Sequence, residues 1–264
     1  MNSELSYANQ TDPAAHTPEP VVPPKSFINR LMGVYFSPGE TFQEIGLAPK
    51  LALPIIALAL LTMVATVVIL QRIPMERASE ERLEQMIAEN KITEEQAEQQ
   101  RDFMRKFGSV FKYVIPVAAA IFIVVMALAF AGVAKLISSM MGIENRYPPL
   151  LAVTVYSMLA VSLVGSLVAI LLVYLQPVDE INIENPVATN LSAILPLLGI
   201  KGLPKFVSTF LSYVDVFFIW KVALLGIGYA AVSRKLKAST AIGYVTVVSV
   251  VLALIHSAWS AIFG

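Results

Sequence analysis

Cysteine is absent from this 264-residue chain. That excludes disulfides, thiolate metal sites and cysteine nucleophiles, and it leaves the redox compartment open. Charge is scarce as well. Asp, Glu, Lys and Arg make up 14% of the residues, against about 25% in an ordinary soluble protein. The 19 basic and 19 acidic residues cancel, so the balance points to no nucleic acid partner. The only histidines are His16 and His256, so no pair sits at the helical spacing of a metal site. There is no phosphate-cradling Gly-rich loop followed by Lys and Ser or Thr, and no Gly-x-Ser-x-Gly turn. Val164-Gly165-Ser166 lies inside an apolar run with no base near it. The expectation is a protein that is not an enzyme and uses no cofactor or metal.

What is abundant is hydrophobicity. Apolar residues make up 56% of the chain, gathered in runs too long for the core helices of a soluble domain. About 20 apolar residues in helix cross a hydrocarbon core of roughly 30 Å. Five runs qualify: 51–70, 114–137, 150–175, 213–232 and 240–263. The expected fold class is an all-α membrane protein. It would be a five-span transmembrane helical bundle with an extramembrane helical hairpin and interfacial helices. Residues 1–26 are polar, with five prolines between Pro13 and Pro24, and read as a disordered tail. Residues 27–264 read as one transmembrane domain. Lys25 is the first basic residue and the first long apolar run starts near Leu51, so a cleaved leader is not expected.

The stretches between the spans carry their own signals. In 27–46, Phe27, Ile28, Leu31, Met32, Val34, Tyr35 and Phe36 precede Ser37-Pro38-Gly39-Glu40. Ser37 as cap, Pro38 in the first helical position and Glu40 three after the cap predict a helix start. The helix it opens, Thr41–Ile45, would end at Gly46. The plain reading is a helix on the membrane surface; the sharper one is a docking site for a soluble partner. Residues 71–113 hold eight basic and nine acidic residues. Ser79–Asn90 reads as one helix, and Thr93-Glu94-Glu95-Gln96 as a capping box opening a second. Together they predict a charged hairpin over 75–108. Its mixed charge fits a solvated face or a partner-binding surface. Later, Asn185-Pro186 reads as a cap and first helical residue. The run 187–198 is too short to span, so 187–204 is interfacial or re-entrant. Pro204 can start a helix that runs on into the fourth span.

Polar residues inside the spans need an account. Asp215 and Lys221 lie in the fourth span and His256 in the fifth. A charge at a helix centre costs about 2.5–3.5 kcal/mol on insertion scales. Six residues place Asp215 and Lys221 about 120° apart around one helix, so they do not pair directly. Asp215 can sit near the helix start, and Lys221 can snorkel. The sharper expectation is an Asp215–His256 hydrogen bond between adjacent spans, with Lys221 joined through water. That cluster would hold the spans in register or line an ion path. Ser162 and Ser166, Gly165 and Ala169, and Gly226 with Gly228 are small residues at spacings that let membrane helices approach closely.

Short loops set orientation. Residues 233–239 hold Arg234, Lys235 and Lys237 and no acid, and 138–149 holds Arg146. With five spans both fall on the side of Lys25, Arg30 and Lys50. The expectation is a bacterial cytoplasmic membrane, with the N-terminus cytoplasmic and the C-terminus outside.

The chain resembles the YIP domain family of Rab-interacting-type polytopic membrane proteins, in a bacterial-like version. The resemblance rests on Tyr35-Phe36-Ser37-Pro38 with Phe42, then Pro54 in the first span and Asn185-Pro186. It continues through Asp215-x-Phe217-x-x-Trp220 and the Gly226/Gly228 stretch before the basic loop, covering roughly 27–262. In eukaryotes the family implies vesicle traffic, Rab binding and membrane shaping, with a cytoplasmic N-terminus. The long N-terminal region associated with Rab contact is not evident here. Two functions follow as expectations. One is a scaffold that organises membrane proteins or lipid, with protein partners at 71–113 or 27–46. The alternative is a small transporter or channel subunit using Asp215, Lys221 and His256.

Overall fold

Ten α-helices and a short 3-10 turn are formed by the residues that the computed structural model describes, 25–178, 181, 189–200, 202–233 and 235–263. The expected tail falls mostly outside these, as do Asn185-Pro186 and Arg234. No strand occurs among the described residues. Four helices are long and apolar enough to cross a membrane: α3 (Ala52–Leu70), α5 (Glu94–Met140), α6 (Tyr147–Leu175) and α10 (Ala238–Phe263). The apolar helix α9 (Val216–Val232) is shorter, at 17 residues.

The packing is that of a protein dissolved in lipid. Large side chains face out: α3 exposes Leu53, Ile56, Leu60 and Val64. Small ones face in. α5 buries Ala127, Ala131, Ala134 and Ser138, and α10 buries Ala241, Ser249, Ala253 and Ser257. Lipid tails are as apolar as leucine, so close backbone approach, rather than escape from solvent, holds such helices together. α6 is the axis. Every residue from Leu150 to Val161 is buried, as expected of a helix that is apolar all round. Around it pack α3, α5, α9 and the first two helices.

Those two helices correct the sequence reading. α1 (Phe27–Phe36) and α2 (Pro38–Leu47) do not lie apart on a surface. They form a hairpin packed along α6 and α9. Val34, Phe42 and Ile45 are fully buried in the same core as Leu150, Val153 and Leu225. The Tyr35 hydroxyl donates to the Ala160 carbonyl at 2.7 Å, halfway along α6. Each helix has an apolar face that α6 and α9 can cover, so docking satisfies both. The helix opened at Pro38 runs to Leu47, longer than Thr41–Ile45, and Ser37 makes no side-chain cap bond. Its N–H instead bonds back to the Gly33 carbonyl, which carries hydrogen bonding across the bend.

A second correction concerns the arm. α4 (Met75–Ala88) starts directly after Pro74, earlier than Ser79. The capping box Thr93–Gln96 is formed, with both reciprocal bonds. The helix it opens does not stop before the second span. α5 runs unbroken for 47 residues, about 70 Å, with Pro116 buried inside it. A proline removes one backbone bond, but neighbouring helices in a membrane can compensate. Arg101 on α5 reaches Glu80 on α4 at 2.8 Å and also pairs with Glu94 and Glu98. The hydrogen bonds that Arg101 donates to these three carboxylates raise its pKa further above the ordinary value.

Candidate functional site

The chain leading into the fourth apolar run is not one helix. α7 (Leu191–Ile194) leads into the 3-10 turn Leu195–Leu198, and α8 (Lys205–Leu211) follows. The chain then bends at Ser212–Val214 before α9 begins. Asp215 sits at the break in extended conformation, and its carboxylate accepts the Phe218 N–H. A helix running on from Pro204 is thus overturned. Aspartate offers the backbone a side-chain partner, which favours a cap over a continuing helix.

The break packs beside the second half of α6. Phe217 packs at 3.7 Å from the β position of Gly165 on α6. α6 continues from there for ten residues, about 15 Å, through lipid-facing Leu167, Leu171 and Leu175. Its end is marked by Arg72, which donates to the Gln176 carbonyl and lies over the Tyr174 ring, a typical interfacial pairing. The break therefore lies several turns short of that end of α6. The chain before it returns to the same level of the bundle. Asn190 forms an isolated bridge with Asp215, and the Leu191 N–H donates to the Val214 carbonyl at 3.0 Å. Ser192 and Ser208 share a hydrogen bond at 2.8 Å, and Thr209 reaches Ser260 on α10 at 3.4 Å. Irregular backbone is tolerated within a membrane only when protein or a lined cavity surrounds it. Asn190 is buried in this way, whereas Leu198, Ile200 and Phe206 of the same stretch are exposed.

Beside the break is a cleft of 230 Å³. Its floor is α6, at Met158, Val161 and Ser162. Ile123 of α5 forms one wall, and Phe218 and Lys221 of α9 the other. Ser212, Tyr213 and Asp215 line the end at the break.

The three charged or polar residues singled out in sequence are only partly brought together. Asp215 and Lys221 line the same cleft; His256 does not. The expected Asp215–His256 hydrogen bond is not formed. His256 Nδ1 instead pairs with the Tyr213 hydroxyl at 2.9 Å, with the two rings edge to face. Asp215 is occupied as the α9 cap, which leaves Tyr213 as the nearer partner. The Lys221 ammonium lies 5.4 Å from the Phe218 ring centre. Tyr213 is the residue that sequence reasoning missed. It links the cleft to α10, and its only signal was its place before Asp215.

The small residues are distributed over three contacts. Gly226 backs onto Ile242 of α10, Gly228 onto Val153 and Phe42, and Gly165 onto Phe217. Ser162 lines the cleft, and Ser166 is half-buried on the same helix. Next to Gly228, the Tyr229 and Thr154 hydroxyls share a buried hydrogen bond at 2.8 Å.

A second polar group sits at the base of the α1–α2 hairpin. Arg30 is 1% exposed. It donates to Glu44 at 3.3 Å and to the Ala48 carbonyl at 2.9 Å. Lys25 pairs with the same carboxylate at 3.1 Å. Burial alone would raise the Glu44 pKa. The bonds and charge from Lys25, with Arg30, outweigh it and hold the carboxyl below its ordinary range. Among the described residues no group of His, Cys, Asp and Glu is placed to hold a metal ion.

A family model described as the Yip1 domain matches residues 32–260. No curated protein matches the chain, and no solved structure does.

Proposed function

The chain belongs to the Yip1 domain family and is a multi-pass integral membrane protein; from that premise we propose that it is a non-enzymatic scaffold that organises membrane proteins through its charged arm. The observation that carries this reading is the unbroken α5. One rigid helix joins the arm at one end of the bundle to the loop at the other. On the arm, Phe103, Phe107 and Val110 are exposed at helical spacing among Arg105, Lys106 and Asp102. Phe103 also stacks with Phe107 at 4.9 Å. An aromatic stripe edged by charge suits a protein partner, since interface cores favour aromatics and rims are polar.

Five crossings fit this reading. α9 runs antiparallel to α6, with Phe217 opposite Gly165 and Gly228 opposite Val153. Its 17 residues extend about 25 Å, so it serves as a short fourth crossing below the re-entrant segment. Lys235, Lys237 and Arg146 then face the cytoplasm of a bacterial cell with the N-terminus, and the arm and C-terminus lie outside. A photo-crosslinking residue placed at Phe107 tests the scaffold. It should yield discrete protein adducts that a probe at lipid-facing Val247 does not give. Lipid adducts alone at both positions would overturn the proposal.

A second reading is favoured by one observation, the break between α8 and α9 beside a cleft. Transporters commonly build substrate sites from such discontinuous helices. Proteoliposome flux that depends on Asp215 or Lys221 would support it; flux equal to that of protein-free vesicles would remove it.

A further inference from the structure

We infer that the cleft at Lys221 binds the anionic phosphate headgroup of a membrane lipid, which enters sideways between α5 and α9. The inference goes beyond the scaffold reading and does not depend on the arm.

Lys221 carries the charge. Among the described residues it forms no ion pair with a carboxylate, and its ammonium lies over the Phe218 ring. Asp215 is committed to the Phe218 N–H. Asp215 lines the same cleft and attracts the ammonium through space, but it makes no ion pair with it. A charge at this depth is costly, so an added anion still gains from Lys221. Ser162, Ser212 and Tyr213 line the same space. The Ser212 hydroxyl already donates to the Thr209 carbonyl and the Tyr213 hydroxyl pairs with His256, which leaves the Ser162 hydroxyl to donate to a phosphate oxygen.

Access argues for a lipid over an aqueous solute. α5 and α9 are not a packed pair in the bundle, and the cleft lies between them over α6. The residues flanking both walls, Phe122 on α5 and Val216 and Ile219 on α9, are exposed on the lipid-facing surface. An acyl chain can lie along that surface while the headgroup turns inward. The volume of 230 Å³ is below the roughly 300–1,000 Å³ of sites that enclose a drug-sized ligand. It suits a headgroup whose tails remain in the bilayer. Lys221 leans toward the head of α9, as side chains on a helix do, which brings the ammonium toward Ser212 and Tyr213.

The test uses the full chain in neutral detergent. Native mass spectrometry would count lipid retained after titration with dioleoylphosphatidylglycerol, dioleoylphosphatidylcholine or inorganic phosphate. The expected result is one phosphatidylglycerol bound at least tenfold more tightly than phosphatidylcholine. Lys221→Gln should lose that tenfold preference and Lys221→Arg should keep it. Ile123→Trp, which narrows the side entrance and leaves Lys221 untouched, should weaken phosphatidylglycerol binding if Lys221→Gln fails to fold. Equal retention of the two lipids, or equal phosphatidylglycerol retention by parent and variants, overturns the inference. Stabilisation by millimolar inorganic phosphate that matches the lipid's would assign the site to a free anion and also overturn it. The scaffold reading is separate, because crosslinking from Phe107 does not require the cleft.

Discussion

Replacing Gly226 by alanine should separate α9 from α10. A methyl group built on Gly226 would lie 2.3 Å from Ile242 Cγ1 and 2.8 Å from both the Ile242 Cα and its backbone nitrogen. The side-chain clash could be relieved by a rotamer change. The backbone clash cannot. Restoring a carbon separation of about 3.5–4.0 Å requires α10 to withdraw by roughly 1 Å, which forfeits about a quarter to a half of the dispersion energy at each contact along the seam. Overpacking of this kind costs about 1–3 kcal/mol. Alanine returns up to about 1 kcal/mol in helix propensity in water. In lipid the return is smaller, because an undocked span is already helical. The net expectation is a loss of about 1–3 kcal/mol.

The control is on the partner helix. Gly243 has nothing within 4 Å of its β position, so Gly243→Ala should be neutral or slightly stabilising. Thermal unfolding in detergent, followed by tryptophan fluorescence, reads both variants. Gly226→Ala should melt below the parent and Gly243→Ala at or above it. If Gly226→Ala melted at the parent temperature, the claim that the α9–α10 seam depends on backbone approach at this glycine would be wrong.

Three further outcomes follow. Tyr229→Phe removes the hydroxyl bonded to Thr154, which keeps its bond to the Leu150 carbonyl. The cost should be about 0.5–1.5 kcal/mol, toward the low end in a membrane, and a melting curve reads it. Glu44 has its native pKa lowered by Lys25 and Arg30 against the opposing effect of burial. Its contribution is therefore fully present above the ordinary carboxylate value of 4.5 and is lost as pH falls through the lowered native value. Melting temperature should hold from pH 7 to about 5 and then fall, and Glu44→Gln should reduce that fall; an unchanged profile would contradict the assignment. Asp215→Asn keeps a good N-cap and should leave folded yield unchanged, whereas Asp215→Ala should cost about 0.5–2 kcal/mol. Equal loss in both would show that the charge, rather than the cap, holds the break.

The spans were legible because lipid imposes one simple demand, an apolar run long enough to cross, and 51–70, 150–175 and 240–263 meet it with boundaries close to those of α3, α6 and α10. The breaks were not, and the reason is instructive. The second span reads as starting at 114, yet α5 reaches back to Glu94 and passes through Pro116. The sequence places Asp215 inside a helix running on from Pro204, yet α8 stops at Leu211 and Asp215 caps the start of α9. Sequence registers the local penalty of a residue, whereas continuity is decided by whether the surroundings give the displaced backbone groups a partner. At Asp215 the side chain supplies that partner itself, and Asn190 supplies a bridge from 25 residues away in the chain. The α1–α2 hairpin was hidden for a related reason. Its apolar faces would look the same whether lipid or protein covered them. What selects protein is a pair of notches with no hydrophobic signature. A methyl group on Gly46 would come within 2.7 Å of Val232, and one on Gly228 within 3.0 Å of Phe42. Two glycines on opposing helices thus let α2 settle against α9, and that close approach, rather than amphipathicity, turns a surface-seeking segment into part of the core.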